Sequence, residues 1–252
     1  MGTFEVFSPD DRRKIAFHRT MAEGAGGGKP GVVFLGGFRS DMGGTKAVAL
    51  EDWARRTGRA FLRFDYTGHG ESSGDFETGG IGDWAADARD AIIALTEGPQ
   101  VLVGSSMGGW ISLLIAREMP EKVAGLVGIA AAPDFTEDSM WASFDDRQRD
   151  ALMRKGRVEL PSEYDDGPYV ITRNLIEDGR DNLVLRDPLP LPFPVRLLHG
   201  TADVDVPMSR PLAILDHADC DDLRLTFVKG ADHRFSTPEC LSLIERTVEE
   251  IA

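Results

Sequence analysis

Cysteine is scarce in this chain: Cys220 and Cys240 are the only two among 252 residues. Two thiols cannot build a disulfide framework or a zinc site, so both are expected as buried thiols in a reducing compartment. Long apolar runs are missing as well. None approaches the ~18 residues a membrane span requires. The opening residues, MGTFEVFSPDDRRK, lack a basic-then-apolar leader pattern, and Val6 stands where a myristoylation signal needs Ser or Thr. Positive charge is in deficit: 28 Lys and Arg face 42 Asp and Glu, a formal charge of −14. Such a surface repels phosphate backbones and anionic lipid heads, which argues against a nucleic-acid partner. What is present, 42% apolar and 28% charged residues, is the balance of a soluble globular chain. It is expected in the cytoplasm, as a monomer or homodimer.

Apolar residues follow two alternating periods. Short runs at 4–7, 15–18, 32–35, 60–64, 101–103, 123–129, 195–198 and 223–228 read as strands. Several are continuously apolar, as strands buried on both faces of a parallel sheet must be. Helical spacing falls between them, over 45–56, 83–96 and 107–117. A last helix is expected after Ser236 and Glu239, which have capping-box spacing with Pro238 in the first turn. The polar turn SPDDRRK predicts a hairpin of the first two strands. The remainder predicts an α/β fold with a mostly parallel eight-stranded sheet and helices on both faces. Residues 135–194 break the alternation. They carry a helix pattern over 141–154, a polar turn region over 161–167, a second helix pattern over 169–178 and the stiff DPLPLPFP. This stretch reads as a helical cap inserted into a core of 1–134 and 195–252. Its Met140, Trp141, Phe144, Met153, Tyr164 and Tyr169 either line an acyl pocket or form the insertion's own small core.

The stretch LVGSSMGGW holds two adjacent serines. G-x-S-x-G is centred on Ser106, because a frame on Ser105 would need glycine at Val103 and Met107. The motif requires a sharp turn from strand to helix with the nucleophile at its tip. Its flanking positions are crowded, and Gly104 and Gly108 occupy them. The following helix aims amides and its positive dipole end at the tip, which favours an oxyanion. A serine needs a base, and the base an orienting acid. Of five histidines, His233 alone stands in a loop between the last strand and the last helix, where the order Ser, Asp, His requires it. His18, His69, His199 and His217 read as structural. The acid follows the strand ending at Leu198. Asp203 comes first, Asp205 second, and Asp134 is a weaker third. Met107 and Phe38 are the expected amide donors of an oxyanion hole, with Gly36 and Gly37 admitting close backbone approach. GAGGGKPG is set aside as a phosphate loop: Pro30 takes the Ser/Thr position and the glycine spacing is one short. A flexible connection is expected there.

These residues together resemble the serine hydrolases of the alpha/beta-hydrolase superfamily, and FDYTGHGESSG resembles that family's D-x-x-G-x-G-x-S turn. GGFRSDMGGTKA, GPQVLVGSSMGGW, PEKVAGLVGIAAAPDF, PVRLLHGTADVDVP and ADHRFS are similar to the mitochondrial palmitoyl-protein thioesterases of the superfamily, also described as mycophenolic acid acyl-glucuronide esterases. The resemblance implies an alpha/beta-hydrolase fold and a Ser106–His233–Asp203 triad. It also implies hydrolysis of acyl thioesters or carboxylic esters through an acyl-enzyme, on a small-molecule or acylated-protein substrate, with no cofactor or metal. A carbon–carbon hydrolase, a peptidase and a slow-turnover receptor are the competing readings. Product identity separates the enzymes, and turnover number separates the receptor.

Overall fold

The computed structural model describes residues 4–160 and 169–252. Eight strands form one sheet: β1 (Glu5–Phe7), β2 (Ile15–Thr20), β3 (Gly31–Leu35), β4 (Phe61–Phe64), β5 (Gln100–Ser105), β6 (Val123–Ile129), β7 (Val195–Gly200) and β8 (Leu223–Val228). Their spatial order is β1-β2-β4-β3-β5-β6-β7-β8. The β1–β2 hairpin is antiparallel, β2 meets β4 antiparallel, and every other pairing is parallel. All eight expected strands are found, each within a residue or two of its predicted bounds.

The continuously apolar runs are explained by alternation between two cores. Val33, Leu35, Leu62 and Leu102 face one side, against helices α2 (Ile81–Leu95) and α3 (Met107–Glu118). Val32, Phe34, Phe61, Val101 and Val103 face the other, against α1 (Thr45–Thr57) and the C-terminal helix Pro238–Ile251. Each such side chain, fully buried, contributes about 1.5–3 kcal/mol. A buried ion pair crosses the second side. Arg63 on β4 bonds Glu51 on α1 through Nε at 2.8 Å, and its Nη1 donates to the Met42 carbonyl at 2.7 Å. It fastens the loop after β3 to the sheet.

Local expectations needed several corrections. Helix α2 begins at Ile81, not Asp83, because the Asp83 carboxylate is the third-position acceptor for the Gly80 amide. The C-terminal helix is capped by Thr237, whose Oγ1 accepts from the Cys240 amide, rather than by Ser236. The glycine run Gly24–Gly28 is a 3-10 turn rather than a slack connection, and a Cβ on Gly26 would meet the Gly58 carbonyl at 2.1 Å. Cys220 is half-buried, with its thiol donating to the Phe193 carbonyl, while Cys240 is buried.

The stretch 135–194 is not all helical. A π-helical turn (Thr136–Trp141) leads to α4 (Asp146–Lys155), which Asp145 and Gln148 open as a capping box. Arg157–Leu160 then pairs antiparallel with Tyr169–Thr172. Helix α5 begins only at Arg173, with Thr172 as its cap, and runs to Asp181. The β-branched run Val170–Thr172 prefers a pleated surface over the helix that period counting assigned. The polar turn region 161–167 lies outside the described residues, as does Tyr164. Helix α6 (Ser209–His217) follows β7, and the C-terminal helix is α7.

Asp134 closes this stretch onto the core. Its buried carboxylate accepts the Val184 amide at 2.9 Å and the Leu185 amide at 3.0 Å, and pairs with Arg186. It is an anchor and stands apart from His233. Asp134→Ala strands one buried and one partly buried amide and is expected to cost about 2–4 kcal/mol, read as a fall in melting temperature, while folded molecules retain turnover.

Candidate active site

Strand β5 ends at Ser105 and α3 begins at Met107, so Ser106 occupies the turn between them. Its φ of 54° and ψ of −116° lie where a residue with a Cβ is strained, at a cost of about 1–3 kcal/mol. The surroundings hold it there. The Ser106 amide donates to the Ile129 carbonyl at 2.9 Å, and its own carbonyl accepts from Gly109 at 2.9 Å and Ala132 at 3.1 Å. A Cβ on Gly104 would meet the Gly108 carbonyl oxygen at 2.3 Å, and one on Gly108 would meet the Leu35 oxygen at 2.0 Å. The glycine frame is therefore a space requirement. Both serines line a cavity of about 490 Å³, but Ser105 is buried and only Ser106 is hydrogen-bonded to a histidine.

His233 comes to that cavity from the loop between β8 and α7. Its Nε2 lies 3.1 Å from Ser106 Oγ and its Nδ1 lies 2.9 Å from Asp203 Oδ2. The other oxygen of Asp203 accepts the Val206 amide at 2.8 Å and the Asp205 amide at 3.0 Å. Burial pushes the Asp203 carboxyl up, but the His233 hydrogen bond and these two amides outweigh it and hold the group below the usual carboxylate range. Three residues separated by 127 positions in sequence thus form one hydrogen-bonded line. Asp205 lends its amide to Asp203, and its side chain is exposed.

Met107 opens α3, where an amide has no intrahelical acceptor. The loop after β3 comes close from the other side: a Cβ on Gly37 would lie 3.5 Å from Ser106 Cβ. Phe38, next in that loop, lines the cavity, and its ring packs edge-on against Phe76, Trp84 and Phe135.

The other histidines are elsewhere or buried. His18 lies on β2, and His217 Nε2 faces the Asp187 carbonyl at 2.8 Å. His199, the penultimate residue of β7, lies directly beside the acid. Its Nε2 is 3.0 Å from the Val206 carbonyl and 3.7 Å from Asp203 Oδ2, and burial pulls its imidazole below the ordinary value. A neutral ring donating from Nε2 fits both acceptors. His69 is walled by Tyr66, Phe76 and Trp84. Its Nδ1 faces the Thr67 carbonyl at 3.3 Å, and its Nε2 has no partner among the described residues.

Burial lowers the His69 pKa to about 4. The unfolded chain therefore takes up a proton near pH 6.5 that the folded one refuses until about pH 4, so His69 costs stability as pH falls through that window. The loss totals about 3 kcal/mol below it. His69→Phe is expected to flatten this part of the stability-versus-pH curve, since Trp84 Nε1 still donates to the Thr67 carbonyl. Urea midpoints between pH 7 and 4 check it; parallel curves for the two proteins would remove His69 as the cause.

Of the aromatic and methionine candidates in 135–194, Met140 and Tyr169 line the cavity, with Phe135, Leu160 and Ile171 beside them. Phe144 is core, Trp141 packs against it under Arg180, and Met153 is exposed. Four cavity-lining cations, Arg39, Lys46, Arg210 and Arg234, were not anticipated. Nothing in GFRS, TKA, MSR or HRF distinguishes them from surface bases.

Comparison with known proteins places this geometry in a family. The Hydrolase_4 family model, described as serine aminopeptidase S33, matches residues 29–174. The rat mitochondrial palmitoyl-protein thioesterase ABHD10 is 38% identical over 226 residues, covering 89% of this chain and 76% of the relative. The chain is an alpha/beta hydrolase. Its fold is matched by a solved Agrobacterium vitis protein assigned as a hydrolase, with 38% identity, a TM-score of 0.93 and 99% of each chain covered. Mouse alpha/beta hydrolase domain-containing protein 10 matches with 33% identity and a TM-score of 0.90, over 99% of this chain and 98% of that one. Among the described residues no helix of this hydrolase is long and apolar enough to cross a membrane.

Proposed function

We propose that this hydrolase cleaves acyl thioesters or carboxylic esters through an acyl-enzyme, with Ser106 as nucleophile, His233 as base and Asp203 as its orienting acid. The observation that carries the reading is the hydrogen-bonded line Ser106–His233–Asp203. His233 Nε2 takes the Oγ proton as Oγ bonds to the acyl carbon. The Phe38 and Met107 amides receive the oxyanion. His233 then returns the proton to the departing sulfur or oxygen, and water repeats the sequence to release the acid. No step calls for a metal or cofactor. The mammalian relatives are named for palmitoyl-protein cleavage, and the apolar wall of Phe135, Met140, Leu160 and Ile171 suits an acyl chain. We read 135–194 as the cap that supplies this wall, over a core of 1–134 and 195–252. The four cations of the cavity disfavour an aminopeptidase, whose substrate presents an ammonium group. The free thiols favour a reducing, cytoplasmic setting, while the relatives carry a mitochondrial name; cell fractionation decides between the two.

The test is hydrolysis of an acyl thioester and its matched oxygen ester, at short and long chain length, by wild type and Ser106→Ala. Ser106-dependent cleavage of either series is the expected result. Failure on all four substrates would move the protein to carbon–carbon hydrolysis or ligand reception.

A further inference from the structure

The cavity carries a charge opposite to that of the whole chain. In a protein of formal charge −14, four cationic side chains and one exposed carboxylate, Asp205, line the space around Ser106. Two of the cations are conspicuous for their surroundings. Arg39 and Lys46 form no ion pair with a carboxylate among the described residues, although acids outnumber bases by 42 to 28 in the chain. Arg39 is held over the rings of Phe76 and Tyr169, at 5.0 and 5.2 Å, on a backbone with φ of 57°. Such stacking orients a guanidinium without neutralising it. Lys46 is half-buried, and its Nζ donates to the carbonyl of Arg234. Burial lowers its pKa to about 8, so it still carries its charge at neutral pH. Asp232 stabilises the ammonium from beyond ion-pair distance, and a half-buried ammonium without a direct ion pair is favoured further by an anion that joins it.

Their position relative to the chemistry is also informative. Arg234 follows His233 directly, so Lys46 sits on the side from which His233 must protonate the leaving group. The apolar residues come instead from 135–194. Lys46 thus lies toward the His233–Arg234 loop, while Arg39 is stacked on Tyr169 beside the apolar residues of 135–194. Arg210 is shared with Asp138 at 2.9 Å, and the two cavity cations without an ion pair among the described residues, Arg39 and Lys46, match the nearly double charge of a phosphate better than a single carboxylate.

We infer that the site selects acyl thioesters or esters whose leaving group bears phosphate, such as a phosphorylated pantetheine or nucleotide thiol, with Arg39 and Lys46 binding the phosphate. This rests on the hydrolase reading above. The acyl chain lies along Phe135, Met140, Leu160 and Ile171, and the phosphate-bearing thiol extends toward Arg39 and Lys46. Bond making and breaking remain those already described.

The test places one acyl group on four thiols: N-acetylcysteamine (neutral), N-acetylcysteine (one carboxylate), phosphopantetheine and coenzyme A. Expected kcat/KM is at least ~10-fold higher for the two phosphate-bearing thioesters than for the other two, the scale of one charge-assisted contact. Arg39→Gln and Lys46→Met are each expected to lower the phosphate-to-neutral ratio by ~10-fold, and Lys46→Arg to restore most of it. Binding is read separately by titrating coenzyme A itself into Ser106→Ala protein, with and without Lys46→Met. Saturable binding weakened by Lys46→Met is the supporting result. Equal kcat/KM on neutral and phosphate thioesters, equal preference for the carboxylate thiol, or no binding of coenzyme A overturns the inference. The first two outcomes would leave Ser106-dependent hydrolysis standing. Loss of all Ser106-dependent turnover with coenzyme A still bound would instead strike the hydrolase reading.

Discussion

Ser106→Ala is expected to lower kcat by roughly five to six orders of magnitude on any substrate the wild type cleaves. The side chain lost is one hydroxyl, and among the described residues its Oγ makes a single hydrogen bond, to His233 Nε2 at 3.1 Å. The elbow itself is held by backbone: Ser106 N to Ile129, and Gly109 N and Ala132 N to the Ser106 carbonyl. Alanine keeps all three, and bears the same positive φ at similar cost. Circular dichroism and melting temperature are therefore expected to stay close to wild type. Residual rate, about 10³–10⁴ over water, would come from the oxyanion amides and substrate binding. A mutant that keeps wild-type kcat on purified protein would remove Ser106 from the mechanism. A loss of fold with the loss of rate would mean that the hydroxyl supports structure rather than chemistry.

Gly108→Ala is expected to be the most destabilising single methyl in the chain, at about 4 kcal/mol or more. The added carbon would lie 2.0 Å from the Leu35 oxygen and 2.6 Å from the Gly36 oxygen. Both are backbone atoms, one at the end of a central strand and one in the loop that leads to Phe38, so no side chain can swing aside. Helix α3 would have to lift off β3. For a chain of this length the fall in melting temperature is about 10 °C. Activity should fall in molecules that remain folded, because the same displacement moves Met107 and Ser106 away from the Phe38 loop. Gly28→Ala is the control, since a Cβ there meets nothing within 4 Å and its effect should stay within about 0.5 kcal/mol. Matching melts for the two variants would mean that the elbow yields without strain.

Much of the sheet was legible in the sequence, because burial on both faces forces continuous apolar runs such as Val32–Leu35, and few other elements require them. The turn at Ser106 was legible because its crowding admits only glycine at 104 and 108. Caps were less so. Ser236 and Thr237 are both competent, and Thr237 is selected by where Pro238 must stand. The stretch 135–194 misled period counting, because Tyr169–Thr172 is too short for its alternation to stand out from helical spacing, and its strand partner at Arg157–Leu160 is identified only by pairing.

The sequence by itself determined the fold class, the strand-to-helix turn that carries Ser106 and the place in chain order where the proposed acid and base should fall, since each depends on local crowding or on burial written along the chain. Chain order ranked Asp203 ahead of Asp205 and Asp134, but all three follow strands, and only the tertiary structure gives the distances: Asp203 meets His233 at 2.9 Å while Asp134 is spent on Val184 and Leu185. It alone brought Arg39, Lys46, Arg210 and Arg234 to one cavity. Bases on four separate loops and helix ends carry no mutual signal along the chain, and their convergence is a property of how the parallel strands β3, β7 and β8 all end on the same, carboxyl side of the sheet.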